Sequence, residues 1–116
     1  MARLIQQLDR YRTPPAWQPG SAWPGNLAPI TLGDRVFLSQ GAYLCTGNHE
    51  FRSPSFDLRL GPITIGPDAW IAARAVLAPG TVIGAGAVVA LGAVVSGTVP
   101  PGAIVRGNPA VLVGER

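Results

Sequence analysis

The sequence predicts an all-β fold, a parallel β-solenoid in which short strands turn a corner once every six residues. From residue 65 onward an aliphatic residue occupies every sixth position: Ile65, Ile71, Leu77, Ile83, Val89 and Val95. Four residues after each comes a small or β-branched one: Ala69, Ala75, Thr81, Ala87, Ala93 and Val99. Neither the helical period of 3.6 nor the strand period of two explains this spacing. The composition, with 15 Gly, 12 Pro and 13% charged residues, also favours short strands joined by tight corners.

Residues 1–26 precede the repeats and are predicted to form an N-terminal cap, helical or irregular. Apolar residues follow one helical stripe in residues 1–13, and Pro14 would end such a helix. Trp17 and Trp23 come next among Pro and Gly. They are predicted to plug the open end of the solenoid or, alternatively, to form a wall of an acceptor site.

The repeat domain is predicted to span residues 27–116, with about three coils. Leu32, Leu38 and Leu44 lead a first block of hexads, but the 21 residues from Leu44 to Ile65 are not a multiple of six. Residues 45–62 are therefore expected to protrude as a loop. The second block supplies two coils of three faces, and the tail 102–116 closes the other end. Three glycines that directly follow leaders are expected at corners needing permissive backbone angles: Gly33, Gly66 and Gly84.

Composition and charge exclude several classes of function. The 116 residues suit one domain, and the net charge of +3 is spread along the chain, which argues against a nucleic-acid surface. Cys45 is the only cysteine and the start of the chain lacks an apolar signal region, so we expect a cytoplasmic protein. Residues 75–95 form an uncharged apolar run, but the six-residue register continues through it, so no membrane span is expected. No P-loop or Cys/His metal cluster occurs, and no metal is predicted.

Three segments carry a resemblance to a known family: LSQGAYLCTGNHEF, GPITIGPDAWIAARAVLAPGTVIGAGAVV and VPPGAIVRGNPA. In this order and spacing they resemble the hexapeptide-repeat acyltransferases, and most closely the colanic-acid-biosynthesis acetyltransferases of exopolysaccharide clusters. The resemblance runs from about Leu27 to the terminus and does not include residues 1–26. It implies a left-handed parallel β-helix and a homotrimer with active sites between neighbouring subunits. The implied donor is acetyl-CoA and the implied acceptor is a sugar hydroxyl.

The candidate catalytic residues lie in the loop that breaks the repeat. His49 is the only histidine, and a neutral imidazole is suited to take the proton of an attacking hydroxyl. The TGNH segment resembles the family motif, which implies that His49 is the general base. Glu50 is predicted to orient His49 or stabilise its charge. Asn48 and Asn26 are predicted to contact the acceptor, although Asn48 could instead tie the loop.

The resemblance places the pantetheine arm of the donor along the outside of the coils. The matching positions are Ala73, Leu91 and Ser96, for which ordinary corner packing is the alternative. Arg106 and Arg116 are predicted to meet the CoA phosphates or to be solvated surface charges. Trp70 fits a subunit contact as well as ligand stacking.

The resemblance, together with these residues, implies a trimeric acetyl-CoA-dependent O-acetyltransferase that acts on a sugar or glycan precursor in polysaccharide biosynthesis. The alternative is a noncatalytic or degenerate solenoid with a structural or assembly role. A zinc carbonic-anhydrase solenoid would need three histidine ligands from two chains, and one His per chain argues against it.

Overall fold

The computed structural model of the chain describes residues 3–4 and 28–116, and every regular element in these ranges is a β-strand. In chain order the strands are β1 Arg3–Leu4, β2 Ile30–Leu32, β3 Phe37–Leu38, β4 Tyr43–Leu44, β5 Gly47–His49, β6 Leu58–Leu60, β7 Ile63–Ile65, β8 Trp70–Ile71, β9 Val76–Leu77, β10 Val82–Ile83, β11 Val88–Val89, β12 Val94–Val95, β13 Thr98–Val99, β14 Ala103–Gly107 and β15 Ala110–Glu115.

Three sheets form the walls of a prism. The first sheet has the order β1-β2-β7-β10-β13, the second β15-β14-β11-β8-β3 and the third β12-β9-β4. Within each wall, strands of successive coils pair in parallel, and the predicted leaders face one another in register, such as Leu32 with Ile65 and Ile65 with Ile83. The fold is the parallel β-solenoid predicted from the period of six, and it is the left-handed β-helix that the family resemblance implies.

The inward positions explain the period of six. Leaders such as Ile71, Leu77 and Val89 are completely buried, because every sixth side chain points into the prism. The residue four places later is also buried and must be small, as Ala75 and Ala87 are. Thr81 satisfies this requirement with its hydroxyl hydrogen-bonded to the carbonyl oxygen of Ala78 at 2.7 Å. The hexads therefore define one continuous apolar core.

Val99 departs from the predicted pattern. It was expected as the small partner of Val95, but it pairs in register with the leader Ile83. Ile65 and Ile83 are 18 residues apart, whereas Ile83 and Val99 are 16 apart. The last corner is thus two residues shorter than the others, and the period resumes from Val99 to Val105.

Gly33, Gly66 and Gly84 are needed for space, not for the permissive backbone angles predicted for them. None of the three has a positive φ. A Cβ on Gly66 would lie 2.7 Å from the backbone nitrogen of Ala85 in the next coil. Corner glycines that do have positive φ lie at other positions, such as Gly86 (70°) and Gly92 (69°).

The N-terminal end differs from the prediction. Arg3 and Leu4 form a strand that pairs antiparallel with β2, so the predicted helix is wrong at these residues. A strand forms there because the edge of the first sheet offers hydrogen-bond partners to the backbone. The rest of the predicted cap, including Trp17 and Trp23, lies outside the described residues. The tail forms an antiparallel β14–β15 hairpin on the second sheet. Residues 75–95 supply strands β9–β12, and none of the described residues forms a helix that could cross a membrane.

Candidate active site

The loop that interrupts the repeat is a two-stranded arm. Strands β5 and β6 pair antiparallel, with Asn48 opposite Arg59 and His49 opposite Leu58. At the base of the arm, the amide of Gly61 donates to the carbonyl oxygen of Thr46 at 2.9 Å. Thr46 is buried, so the arm is anchored in the prism while its outer part projects from it. The predicted excursion therefore has a defined register that fixes where each side chain points.

His49 lies at the end of β5 and is held on two sides by Phe56. Its Nδ1 is 3.0 Å from the carbonyl oxygen of Phe56, and the two rings stack with centroids 4.5 Å apart and planes 15° from parallel. Because a carbonyl oxygen only accepts, this hydrogen bond requires the proton on Nδ1. In the neutral imidazole the other ring nitrogen, Nε2, then keeps its lone pair. The imidazole is oriented as a base.

Phe56 was not predicted from the sequence, where it is one aromatic residue in an irregular segment. Its backbone has a positive φ of 51°, and its amide donates to the carbonyl oxygen of Ser53 at 3.0 Å. This turn directs the Phe56 carbonyl toward His49. Nothing in the local residue pattern signals a positive φ at a phenylalanine.

Glu50 contacts other groups of the arm. One carboxylate oxygen accepts from the backbone amide of Arg52 at 3.1 Å, and the other lies 3.3 Å from Nη1 of Arg59. The contact with Arg59 links Glu50 to the other strand of the arm. These contacts supply no support for the predicted role of Glu50 on His49, which stays a prediction.

Asn48, one of the two asparagines predicted to contact the acceptor, is not directed to the same face as His49. Asn48 is exposed and precedes His49 in the same strand, so the two side chains point to opposite faces of the arm. Asn26 lies outside the described residues. Cys45, at the base of the arm, is a free thiol 3.1 Å from the carbonyl oxygen of Gly47.

Most of the predicted donor positions border the third sheet. Ala73 and Leu91 occupy equivalent corners of successive coils, and the Ala73 carbonyl accepts from the amide of Gly92 at 2.9 Å. Arg106 follows Val105, whose carbonyl accepts from Ala90, so it continues the same edge one coil further on. Ser96 lies on the opposite edge of the third sheet. Ser96 directly follows β12, in the same way that Cys45, at the base of the arm, directly follows β4.

Arg116 is separated from this group. Its backbone amide donates to the carbonyl oxygen of Gly102 at 2.8 Å. Its guanidinium donates to the carbonyl oxygens of Asp68 and Gly86 at 2.8 and 3.4 Å. These contacts lie at the corner between the first and second sheets. Arg106 lies at the opposite end of the strands of the second sheet, next to the third sheet. The contacts of Arg116 fasten the C-terminal strand to the prism.

A depression of about 600 Å³ on the outer face of the second sheet is lined by Arg35, Phe37, Ser39, Asp68, Trp70 and Arg116. The Trp70 indole donates to the Ser39 hydroxyl at 2.8 Å, which fixes the ring. Arg35 and Asp68 pair through two contacts of 2.7 and 3.1 Å. Hydrogen bonding to this guanidinium lowers the pKa of the Asp68 carboxyl, and the same bond raises the pKa of Arg35. Across the described part of the chain, no group of three or more His, Cys, Asp or Glu could hold a metal ion.

Comparison with known proteins agrees with this architecture. Residues 62–97 match the family described as bacterial transferase hexapeptide (six repeats). WcaF of Escherichia coli K12, whose name gives it as an acetyltransferase of colanic acid biosynthesis, is 41% identical over 101 residues, which cover 82% of this chain and 56% of WcaF. The chain belongs to the hexapeptide-repeat acetyltransferase family.

Other members of the hexapeptide-repeat family support the same fold. A hexapeptide-repeat acetyltransferase of Vibrio cholerae, solved with acetyl coenzyme A, matches with a TM-score of 0.72 and 35% identity over 76% of this chain and 50% of that one. Galactoside acetyltransferase solved with coenzyme A matches with a TM-score of 0.73 and 28% identity over 78% and 46% of the two chains. The chain spans about half the length of the curated relatives it matches.

Proposed function

We propose that this protein transfers the acetyl group of acetyl-CoA to a sugar hydroxyl, with His49 as the general base. The observation that carries the proposal is the hydrogen bond from His49 Nδ1 to the Phe56 carbonyl oxygen, at 3.0 Å. It orients the imidazole and leaves Nε2 as the proton acceptor. The sugar acceptor is supported by two relatives: WcaF, and the galactoside O-acetyltransferase of Escherichia coli, which is 33% identical over 90 residues.

The reaction needs only one proton acceptor from the protein. His49 Nε2 takes the proton of the acceptor hydroxyl as its oxygen attacks the carbonyl carbon of the thioester. The carbon–sulfur bond then breaks, and the imidazolium returns the proton to the departing thiolate. The products are the sugar acetate ester and CoA, and His49 ends the cycle in its starting state.

The donor is proposed to lie along the edges of the third sheet. Ala73 and Leu91 line one edge, and Arg106 extends it toward the C-terminal end of the stack, where a guanidinium can meet phosphate oxygens. Ser96 borders the sheet on the side where the arm emerges. This arrangement would place the CoA phosphates near Arg106 and the thioester toward the earlier coils.

We further propose that the enzyme is a trimer acting in the cytoplasm, with each site completed by a neighbouring subunit. Apolar side chains on β6 and β15 are half exposed or more: Leu58, Leu60, Val111 and Leu112. Exposed apolar residues grouped on one strand are typical of an interaction surface. A small prism with so thin a core also gains stability from burial between subunits. Sedimentation equilibrium at micromolar concentration tests the trimer, and a monomer would remove the basis for a shared site.

The test of function is release of free thiol from acetyl-CoA in the presence of candidate sugars. His49→Ala should lower kcat by about 10²–10⁴-fold, the usual contribution of a general base. His49→Asn, whose amide can still donate to the Phe56 carbonyl, should be equally slow, which separates proton transfer from loop packing. Activity of either variant within a few-fold of the parent would show that the base is another group. If the parent releases no thiol with any sugar, the noncatalytic alternative is correct.

A further inference from the structure

Four residues other than glycine have positive φ in the described part of the chain, a conformation that is unfavourable for a residue with a Cβ. Three of them make a contact that offsets the cost of this conformation. Arg35 and Asp68 pair with each other, and Phe56 supports His49. The fourth, Arg74, has a φ of 60°, is exposed, and its guanidinium forms no ion pair with any described carboxylate. Because strained residues are concentrated at functional sites, Arg74 is a candidate ligand-binding residue.

The corner around Arg74 accommodates its side chain. The Arg74 amide donates to the carbonyl oxygen of Gln40 in the coil below, at 3.1 Å, and the equivalent corners of neighbouring coils carry Gly41 and Gly92, with φ of 75° and 69°. A Cβ on Gly41 would lie 3.2 Å from Cγ of Arg74. Glycine at position 41 therefore leaves room for the Arg74 stem to lie across the corner.

A depression of about 350 Å³ opens at this corner, and Gln40, Gly41, Ala73 and Arg74 line it. A guanidinium presents a planar set of N–H donors that matches the two oxygens of a carboxylate or phosphate. The Gln40 amide adds a neutral donor beside it. The chemistry of the depression is that of a subsite for one anionic group.

The position along the stack indicates which substrate carries the anion. Ala73 and Arg74 belong to the second coil, whereas Arg106 lies on the same edge two coils further on, about 10 Å away at strand spacing. In the proposed function, the CoA phosphates lie at the Arg106 end and the thioester toward the earlier coils. Ala73, which also lines the depression, then faces the pantetheine arm, and this arm carries no charge. The anion at Arg74 therefore belongs to the acceptor.

We infer that Arg74 and Gln40 form an acceptor subsite for a sugar that carries a negatively charged group, either a carboxylate or a phosphate. This inference rests on the proposed acetyl transfer and narrows its acceptor. Neither residue is assigned a role in the reaction itself. Their effect is selection of an anionic acceptor over a neutral sugar of the same ring.

The test compares three acceptors at saturating acetyl-CoA: methyl glucoside, methyl glucuronide and glucose 1-phosphate. The parent should favour at least one of the two anionic acceptors over the neutral one by about tenfold or more in kcat/KM, and whichever is favoured identifies the anion. Arg74→Gln should reduce that preference to within about twofold, and Arg74→Lys should retain part of it. The KM for acetyl-CoA should be unchanged in both variants.

Two further variants separate ligand binding from structure. Arg74→Gly removes the unfavourable φ, so its Tm should equal or exceed that of the parent while the preference is lost. Arg106→Gln is the matched control, because it removes one arginine from the same edge and should raise the KM for acetyl-CoA with the acceptor preference intact.

The inference is overturned if the parent acetylates neutral and anionic sugars equally. It is also overturned if Arg74→Gln raises the KM for acetyl-CoA more than the KM for acetyl-dephospho-CoA. The second result would assign the guanidinium to the 3′-phosphate of the donor. A marked fall in the Tm of Arg74→Gly would also overturn it, because the side chain would then be structural. Absence of acetyl transfer to every sugar would instead refute the proposed function.

Discussion

Removing the ring of Phe56 tests how the arm positions His49. Phe56→Ala deletes the stacking partner, whose centroid lies 4.5 Å from that of the imidazole, but keeps the backbone carbonyl that accepts from Nδ1. One of the two contacts that hold the imidazole is lost. The remaining hydrogen bond still selects the same protonated nitrogen, so the variant should be slowed and not inactivated.

The size of the effect follows from the energy of the lost contact. Aromatic pairs contribute about 0.5–1.5 kcal/mol beyond the area they bury. If this energy holds the ring in the productive orientation, its loss lowers the productive fraction by about 2- to 13-fold. We expect a fall of about fivefold in kcat with little change in the KM for acetyl-CoA, far smaller than the effect of removing the imidazole.

The assay is thiol release under saturating donor, with Phe51→Ala as the matched control. Phe51 lies on the same arm and is 69% exposed, and its ring contacts the guanidinium of Arg52. Its removal should change kcat by less than twofold. Equal rates for the two variants would show that the stack does not position His49. A loss as large as that of His49→Ala would show that Phe56 holds the whole arm and not the ring alone.

Three further predictions concern the prism. Gly66→Ala should lower the free energy of unfolding by about 3 kcal/mol, measured in urea, because the added Cβ would overlap backbone atoms of the next coil that have no room to move. The control Gly92→Ala places a Cβ in open space and is unfavourable only in φ, so it should lower the free energy of unfolding by about 1 kcal/mol. Leu77→Ala, at a completely buried position, should cost about 2–5 kcal/mol in the same assay. Hydrogen bonding to Arg35 lowers the pKa of the Asp68 carboxyl, so the contribution of this pair to stability is fully present above the usual value of 3.8 and is lost as the pH falls through the lower folded value. The difference in Tm between the parent and Asp68→Asn should therefore be present at pH 7 and shrink as the pH falls below 3.8. Each of these predictions is contradicted if the variant does not differ from the protein it is compared with in the stated direction.

The stack was predictable because its geometry acts directly on residue type. An inward position recurs every six residues, and water exclusion there demands an aliphatic or small side chain, so Ile71 and Ala75 show the period in the sequence. The loop at residues 45–62 was predictable for the converse reason, since the period stops. The shortened corner before Val99 escaped because a valine satisfies either an inward leader position or a small partner position.

The details of the site were less accessible. The sequence singled out His49, but its partner is a backbone carbonyl, which every residue possesses and no residue type signals. Arg116 is separated from Arg106 because the chain reverses between β14 and β15. The reversal brings Arg116 back to the corner between the first and second sheets. Local patterns predict positions along a chain better than which ends of a hairpin meet.

The residues with positive φ at the corners of this fold bear on both stability and function. Each corner needs a residue that can turn the chain, and glycine at Gly86 and Gly92 does so without strain. Arginine at position 74 occupies an equivalent corner at a conformational cost that glycine would avoid, with Gly92 in the next coil as the direct comparison. If stability alone selected the residue, glycine would be favoured there. A charged side chain retained at a strained, exposed corner is better explained by what it binds, which is why Arg74→Gly is expected to preserve the prism and lose the anionic acceptor.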